Sequence, residues 1–237
     1  MSLATAPVRA TDGAGASDES DTRERILAAA ERLFARHGYS GTSLRAIMTE
    51  ADVNTASVHY YFGGKEALLR AIFDLRVSAT NAERKALLDA CEKRASGRAP
   101  ILRELLEAFF GPAIRLSCTI AGRDFNQITA LCSVDPEPAV RRIVFEAYDE
   151  LAQRFLQLLR RACPDLGETA LFWKVSCLYG SMMYVRTQNG RVEHLMKEHK
   201  PAADADAILA ELVDFVEGGF KARRRPAPGR GRISSTT

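Results

Sequence analysis

The stretch ADVNTASVHYYFGGKEAL, residues 51–68, carries the pattern on which the fold depends. It places small, hydroxyl and aromatic residues, among them Thr55, Ser57, His59 and Tyr60, between two apolar segments. A core helix would bury its aromatic residues, and a fully solvated helix would carry more charge. We therefore predict a short helix that presses a polar, aromatic-tipped surface against a large partner.

The segment before this stretch has the periodicity of an α-helix. In TRERILAAAERLFARHG, residues 22–38, apolar residues recur at steps of three and four. Asp21 or Thr22 is the predicted N-cap, and Gly38 is the predicted C-terminal glycine. Residues 1–20 are rich in Ala, Gly, Ser, Thr and Asp and have little to bury, so we predict a disordered arm.

A second helix is predicted at 43–51, in TSLRAIMTEA, with Thr42 or Ser43 as its N-cap. A turn of about three residues separates it from a third helix at 54–60, which is helix-turn-helix spacing. In such a unit the first of the two helices braces and the second enters the major groove of DNA. The geometry also occurs without DNA, so the pattern by itself leaves a plain three-helix core as an alternative.

The outward face of the third helix suits contact with DNA. Small residues let the helix backbone approach base edges, and hydroxyl and imidazole groups donate to bases or phosphates. Lys65 opens the next helix, where its ammonium and the free N–H groups suit a phosphate. Arg23 and Arg45 are phosphate candidates, with a solvated surface charge as the alternative for each, and Thr42 and Ser43 complete the set. The residues predicted to face outward from the third helix are Thr55, Ala56, Ser57, His59 and Tyr60.

The composition predicts a soluble, cytoplasmic protein. The chain has 237 residues, 46% of them hydrophobic, which suffices for a sizeable core and one or two domains. Its five cysteines are far apart and lack CxxC spacing, which is typical of free thiols in a reducing compartment. No secretory signal is visible, and no run reaches the roughly 18 apolar residues of a membrane helix.

The rest of the chain between its two ends also has helical periodicity, without convincing strand alternation. We therefore predict an all-α protein of about nine helices. A segment rich in arginine, proline and glycine, 224–237, follows and is predicted to be a disordered basic tail, either solvated or adding sequence-independent affinity for DNA. The further helices are predicted at 65–93, 101–121 (broken or kinked by Pro112), 123–133, 134–163, 168–188 and 205–223.

Residues 22–73 resemble the N-terminal domain of the TetR family of transcriptional regulators. The segments RERILAAAERLFARHGYSGTSLRAI, MTEADVNTASV and HYYFGGKEALLRAIF carry the resemblance. Many members have tyrosine where this chain has His59, and a subgroup has Asn-Tyr there, so Tyr60 is the outward aromatic residue that the resemblance implies. It also implies a DNA-binding regulator, most often a repressor, rather than an enzyme.

Residues 77–223 resemble the helical C-terminal domain of the same family. The segments 122–166 and 170–193 look similar to the subgroup typified by PsrA. The resemblance implies a dimer interface and a pocket for a small apolar effector, which is fatty-acid-like in that subgroup. The implied organisation is an arm at 1–20, a DNA-binding domain at 21–68, an effector and dimerisation domain at 69–223 and the tail at 224–237.

Dimerisation has a physical reason, since two recognition helices read a palindrome whose half-sites lie about 34 Å, or a multiple of it, apart. The last two predicted long helices, 168–188 and 205–223, have the best apolar faces for this interface. The small residues Gly180 and Ser181 would allow close approach. The alternative is that the apolar stripe of the last helix packs inside the monomer. That stripe comprises Leu209, Leu212, Val213 and Val216.

The effector pocket is predicted among the aromatic and methionine residues of the second domain, most of which must be ordinary core. Pro112 removes a backbone hydrogen bond, and a kink there would open a cavity. Arg115, in an apolar run, would meet a ligand carboxylate or instead pair with Glu107 or another acid. The predicted effector residues are Phe110, Arg115, Phe125, Trp173, Tyr179 and Met183.

Two other functions fit the sequence less well. For an enzyme, the four histidines are scattered, and FGGKEA lacks the spacing of a phosphate-binding loop, so we expect neither catalysis nor a cofactor. A metal-responsive regulator would have to use Cys118, Cys132 and Cys177, which lack the clustered spacing of a metal site.

Overall fold

The computed structural model describes residues 14–187, 189–197 and 204–222, and for 14–18, 55–58 and 121 it describes the backbone alone. Within these ranges the chain forms ten α-helices and no strand, which confirms the predicted all-α class. The helices are α1 Ala14–His37, α2 Leu44–Ala51, α3 Thr55–Phe62, α4 Lys65–Ala95, α5 Leu102–Ser117, α6 Ile120–Ser133, α7 Pro138–Ala162, α8 Glu168–Thr187, α9 Arg191–Leu195 and α10 Ala205–Lys221.

Helix α1 begins earlier than predicted, inside the segment assigned to a disordered arm. Asp21 is not its cap, because it lies within the helix and pairs with Arg25 one turn later, at 3.3 Å from Oδ2 to Nε. The other end agrees with the prediction. Gly38 has φ of +70°, and its N–H donates to the Phe34 carbonyl at 3.0 Å, so it ends α1 as a left-handed glycine.

Two details of the second domain also differ from the sequence prediction. Helix α5 continues through Pro112, and the chain instead breaks at Cys118, after which Thr119 caps α6 by accepting from the Gly122 N–H at 3.0 Å. The short helix α9 was not predicted, because five residues are too few to show a helical period.

Two apolar cores lie along α4. The first joins α1 and α2 to residues of α6 and α7, and α4 contributes Leu68, Ile72 and Phe73 to it. The second lies among α5, α7, α8 and α10, and α4 contributes Leu88 and Cys91 to it. Because one continuous helix is buried in both cores, α4 mechanically links the N-terminal three-helix unit to the second domain.

No single helix in the described ranges is both long and apolar enough to cross a membrane. The bent pair formed by Leu102–Ser117 and Gly122–Ser133 meets the length and composition requirement only when its two parts are taken together.

Candidate nucleic-acid interface

Helices α2 and α3 form the helix-turn-helix. Ser43 caps α2, since its Oγ accepts from the Ala46 N–H at 3.1 Å. The turn opens at Asp52, which adopts a left-handed backbone with φ of 53°. Arg25 of α1 fastens the end of α2 by donating from Nη1 to the Ala51 carbonyl at 3.2 Å. Three residues therefore separate the two helices, as the sequence predicts.

The C-terminal half of α3 presents an aromatic residue to solvent. Tyr60 is 74% exposed, and its ring stands edge-on to that of Tyr61, with centroids 5.0 Å apart. His59 is also exposed, whereas Val53 and Phe62 pack against the first core. The side chains of 55–58 lie outside the description, so DNA contacts by Thr55, Ala56 and Ser57 stay predictions.

Two of the predicted phosphate contacts lie on the exposed surface beside this helix. Arg23 has its guanidinium carbon 5.2 Å from the centroid of the Phe62 ring, a distance at which a cation is attracted to an aromatic face. Arg45 is exposed on α2. Ser43, although it caps α2, is exposed as well, and the contacts of these three residues with DNA stay predictions.

Thr42 and Lys65 are placed differently from the prediction. Thr42 is buried, and its hydroxyl donates to the carbonyls of Leu33 at 3.2 Å and Gly38 at 2.8 Å. Lys65 Nζ donates to the carbonyls of Tyr39 at 2.8 Å and Thr42 at 2.9 Å, and lies 4.0 Å from the centroid of the Tyr39 ring. Burial lowers the pKa of Lys65. Both side chains hold the turn between α1 and α2, so their polar groups are used internally rather than offered to DNA.

Polar contacts tie this N-terminal unit to the rest of the chain. Glu31 of α1 is buried and receives two hydrogen bonds from Arg76 of α4, at 2.8 and 2.7 Å. Ser40, just after α1, donates to the carboxylate of Asp135, between α6 and α7, at 3.4 Å. A displacement of α4 or α6 would therefore be transmitted to the helix-turn-helix.

The predicted effector residues do not surround one cavity. Phe125 is fully buried in the first core, with its ring edge-on to Phe73 at 5.2 Å. Phe110 is fully buried in the second core, whereas Trp173 is 61% exposed on α8. These three residues belong to two separate cores and a surface, which corrects the prediction of a single pocket.

The other aromatic and methionine candidates are both partly buried residues of α8, and Tyr179 packs against the second core. Tyr179 is partly buried, with its ring edge-on to Phe109 at 6.1 Å, and burial raises its pKa. Phe109 in turn stacks on Phe155, with centroids 3.9 Å apart. Met183 is also partly buried on α8. Tyr179 and Met183 therefore remain candidates for contact with an effector.

Arg115 forms the second of its two predicted arrangements, an ion pair, although its partner is Glu83 rather than Glu107. It is exposed and lines a surface cavity of about 350 Å³. The charged lining of this cavity does not suit an apolar effector. That lining comprises Arg94, Arg103, Glu104, Glu107, Arg115 and Asp206.

Two buried arginines were missed by sequence reasoning. Arg84 of α4 donates from Nε to the Phe109 carbonyl at 2.9 Å, and Arg186 of α8 donates to the side-chain carbonyl of Asn126 on α6. Burial lowers the pKa of Arg84 to about 10. The available signal was a lone arginine flanked by apolar residues, as in MMYVRT around Arg186.

The apolar surface of α8 and α10 is not the predicted stripe. Leu212, Val213 and Val216 are buried in the second core. The stripe therefore packs inside the monomer, which was the alternative to a dimer interface. The two helices also carry a nearly apolar groove of about 340 Å³, the α8–α10 face, and Val216 of the stripe is part of its lining. Its outer residues are Trp173, Cys177, Ser181, Phe215 and Gly219.

An all-helical chain with an exposed helix-turn-helix and a separate helical domain is the architecture of a one-component transcriptional regulator. Two family models match it. Residues 26–72 match the bacterial regulatory proteins of the tetR family, and residues 107–219 match the tetracyclin repressor-like C-terminal domain. The chain belongs to the TetR family of transcriptional regulators.

Curated relatives agree with this assignment. The chain is 34% identical to the HTH-type transcriptional regulator LmrA of Bacillus subtilis over 145 residues, which cover 60% of this chain and 72% of LmrA. It is 34% identical to the HTH-type transcriptional repressor NicS of Pseudomonas putida over 95 residues, which cover 40% of this chain and 42% of NicS. The PsrA-like subgroup stays a prediction.

Solved structures share the fold. The fatty acid degradation regulator FadR from Bacillus halodurans superposes with a TM-score of 0.58 at 18% identity, covering 85% of this chain and 97% of FadR. A regulator from Saccharomonospora viridis, solved in complex with choline, superposes with a TM-score of 0.53 at 21% identity, covering 84% of this chain and 96% of that one.

Proposed function

We propose that this chain is a cytoplasmic, ligand-responsive repressor that binds a palindromic operator as a homodimer and is released by a small apolar effector. The observation that carries the proposal is the exposed end of α3, where Tyr60 and His59 project beside the arginine-bearing surface of α1 and α2. An exposed tyrosine on a recognition helix has no use in the monomer, but it suits contact with a DNA backbone and groove edge.

The α8–α10 face is the proposed dimer interface. Phe215 is 70% exposed and Trp173 is 61% exposed, and large apolar patches on a soluble surface mark sites of association. Side-chain atoms added at Gly180 or Gly219 would meet nothing within 4 Å, so the chain itself leaves room for a partner helix there. The proposed interface therefore uses the outer sides of the two predicted segments, 168–188 and 205–223.

Cysteine reactivity reports on this interface. Cys118 and Cys177 are both exposed in the single chain, but only Cys177 lies on the α8–α10 face. We expect a thiol reagent to modify Cys118 rapidly and Cys177 slowly in the dimer, measured by mass spectrometry of the peptides. Buried Cys132, whose pKa burial raises to about 12, serves as the unreactive control. Equal rates at Cys118 and Cys177 in a dimeric sample would contradict the interface.

Release of DNA requires an effector that binds one conformation better than the other, since a ligand shifts an equilibrium only by its differential affinity. About 3 kcal/mol of coupling would weaken operator binding roughly 150-fold. Helix α4 is the proposed lever, because it is buried in both cores and carries Arg76, which holds Glu31 of α1. A structural neighbour named for fatty acid degradation makes fatty-acid-like effectors the first class to test.

The direct test is fluorescence anisotropy of the protein on duplexes that tile the DNA beside its gene, with random competitor and at several salt concentrations. We expect one palindromic tile to bind tightly and to resist competition. Binding to every tile alike, and its loss on addition of salt, would instead indicate sequence-independent attraction to phosphates.

Tyr60→Ala is the variant that connects this test to α3. Because Tyr60 is 74% exposed, its removal leaves the core intact and the melting temperature unchanged. We expect operator affinity to fall about tenfold, the loss of one good contact, while sedimentation still shows a dimer. Leu75→Ala, an exposed apolar residue on α4, is the matched control and should bind as the unaltered protein does. A monomeric Tyr60→Ala protein would show that the assignment of roles to the two domains is wrong.

A further inference from the structure

Two cationic side chains are buried in the second domain without a carboxylate partner among the described residues. Arg84 on α4 is 3% exposed, and Arg186 on α8 is 7% exposed. Arginine is almost never fully buried unless it is paired, because an uncompensated charge in the interior is costly. The two arginines share Tyr148 as a neighbour, because its ring lies next to the Arg84 guanidinium and its side chain is hydrogen-bonded to Arg186. The proximity of Arg186 also adds to burial in lowering the pKa of Arg84.

The unsatisfied atoms around these arginines are all hydrogen-bond donors. Arg186 Nε and Asn126 Nδ2 are buried without a partner in the part of the chain that the structure describes. The oxygen of the Asn126 amide is already used, because it accepts from Arg186. Unpaired buried polar groups in a native structure call for an explanation. Arg84 donates to the Phe109 carbonyl and to the side-chain oxygen of Asn81, and Arg186 is hydrogen-bonded to Asn126 and to the side chain of Tyr148. These partners are all uncharged, so the cluster lacks negative charge and acceptors for its two unpaired donors, and an oxyanion would supply both.

The surroundings of the cluster are aromatic. The Arg84 guanidinium carbon lies 5.2 Å from the ring centroid of Phe109 and 5.7 Å from that of Tyr148. Tyr179 stands edge-on to Phe109 on the same side of the domain. Aromatic rings next to two guanidinium groups suit a ligand that combines a charged head with an apolar body.

We propose that Arg84, Asn126 and Arg186 bind the oxyanion head group of the effector, which makes that effector an apolar carboxylate or phosphate ester. The inference rests on the proposed function, since it specifies the ligand of the same regulator. The three residues come from α4, α6 and α8, so an anion that draws them together acts directly on α4, the helix that continues into the N-terminal unit. Exposed, ion-paired Arg115 is not part of this site.

The first arm of the test compares head groups on a constant chain, using octanoate, octyl phosphate, octanol and octylamine. We expect an anion at about ten times its Kd to raise the melting temperature of the unaltered protein by about 3–6 °C, and octanol and octylamine to leave it nearly unchanged. The anion that raises the melting temperature more identifies the preferred head group. If octanol raises the melting temperature as much as both anions do, the proposal is overturned. It is also overturned if none of the four compounds raises the melting temperature.

The second arm assigns the effect to the cluster. Arg186→Met removes an uncompensated buried charge but leaves the buried Asn126 amide oxygen without its donor, so the two effects oppose each other and we expect the variant without ligand to fold and to melt within about 5 °C of the unaltered protein. It should nevertheless lose the anion-dependent shift, whereas Arg115→Met should keep it. Arg186→Gln provides a second variant of similar length in case the methionine variant does not fold. Retention of the full shift by the folded variants would show that the anion binds elsewhere.

Operator binding in the same samples separates this proposal from the proposed function. Release of a specific operator by octanol or octylamine, but not by either anion, would leave the regulator intact and refute the anion site. Absence of any specific operator would refute the proposed function, while the head-group comparison, which needs no DNA, would still decide whether the cluster binds anions.

Discussion

Replacing Phe215 by arginine is expected to separate the proposed dimer into monomers and to abolish tight operator binding. Phe215 is 70% exposed in the single chain and is one of the residues that line the α8–α10 face, so the fold of the monomer does not depend on it. In the proposed dimer the new guanidinium would be buried in an apolar contact, twice, because a two-fold axis would relate the two copies of the interface. An unpaired buried charge costs about 3 kcal/mol or more, which corresponds to more than about a hundredfold weaker association.

Sedimentation velocity and operator anisotropy measure the two consequences. A Phe215→Arg monomer carries one recognition helix, so it loses half of the base contacts and on the order of a hundredfold or more in operator affinity. Phe145→Arg is the matched control, because Phe145 is 51% exposed on α7, away from this face. A Phe215→Arg protein that stays dimeric and binds its operator normally would place the interface on another surface.

The sequence predicted the helices well because their signals are local. Ser43 as a cap, Gly38 as a helix end and the three-residue turn before Thr55 each depend on residues a few positions apart. Apolar periodicity located the long helices for the same reason. The misassigned start of α1 also follows from this, since Asp21 has the identity of a cap but is used as an intrahelical partner of Arg25.

The side-chain roles that the sequence did not predict depend on contacts between distant segments. An apolar stripe on α10 is compatible with burial in the monomer or in a dimer, and only the packing of α10 against α5 and α8 places Leu212 and Val213 in the second core. Arg84 and Arg186 are about a hundred residues apart, and although an arginine in an apolar run hints at burial, no local pattern indicates that both contact Tyr148. Lys65 was expected to meet a phosphate, and its hydrogen bonds to the carbonyls of Tyr39 and Thr42 could not be predicted for the same reason.

Lys65→Met is expected to lower both stability and operator affinity without changing the salt dependence of binding. The substitution removes two hydrogen bonds from a charged donor to the turn between α1 and α2, which we expect to destabilise the protein by about 2 kcal/mol. Because that turn leads directly into Ser43 and α2, the helix-turn-helix loses its support, and operator affinity should fall about tenfold or more.

The slope of the logarithm of affinity against the logarithm of salt concentration separates support from contact. A residue that touches a phosphate reduces that slope by about one when it is removed, and it leaves the melting temperature unchanged. Arg45→Met, on the exposed surface of α2, is expected to behave in this way. Lys65→Met should do the opposite, with a lower melting temperature and an unchanged slope, because its ammonium is bound to the carbonyls of Tyr39 and Thr42. If Lys65→Met instead reduced the slope and left the melting temperature unchanged, Lys65 would be a residue that contacts a DNA phosphate.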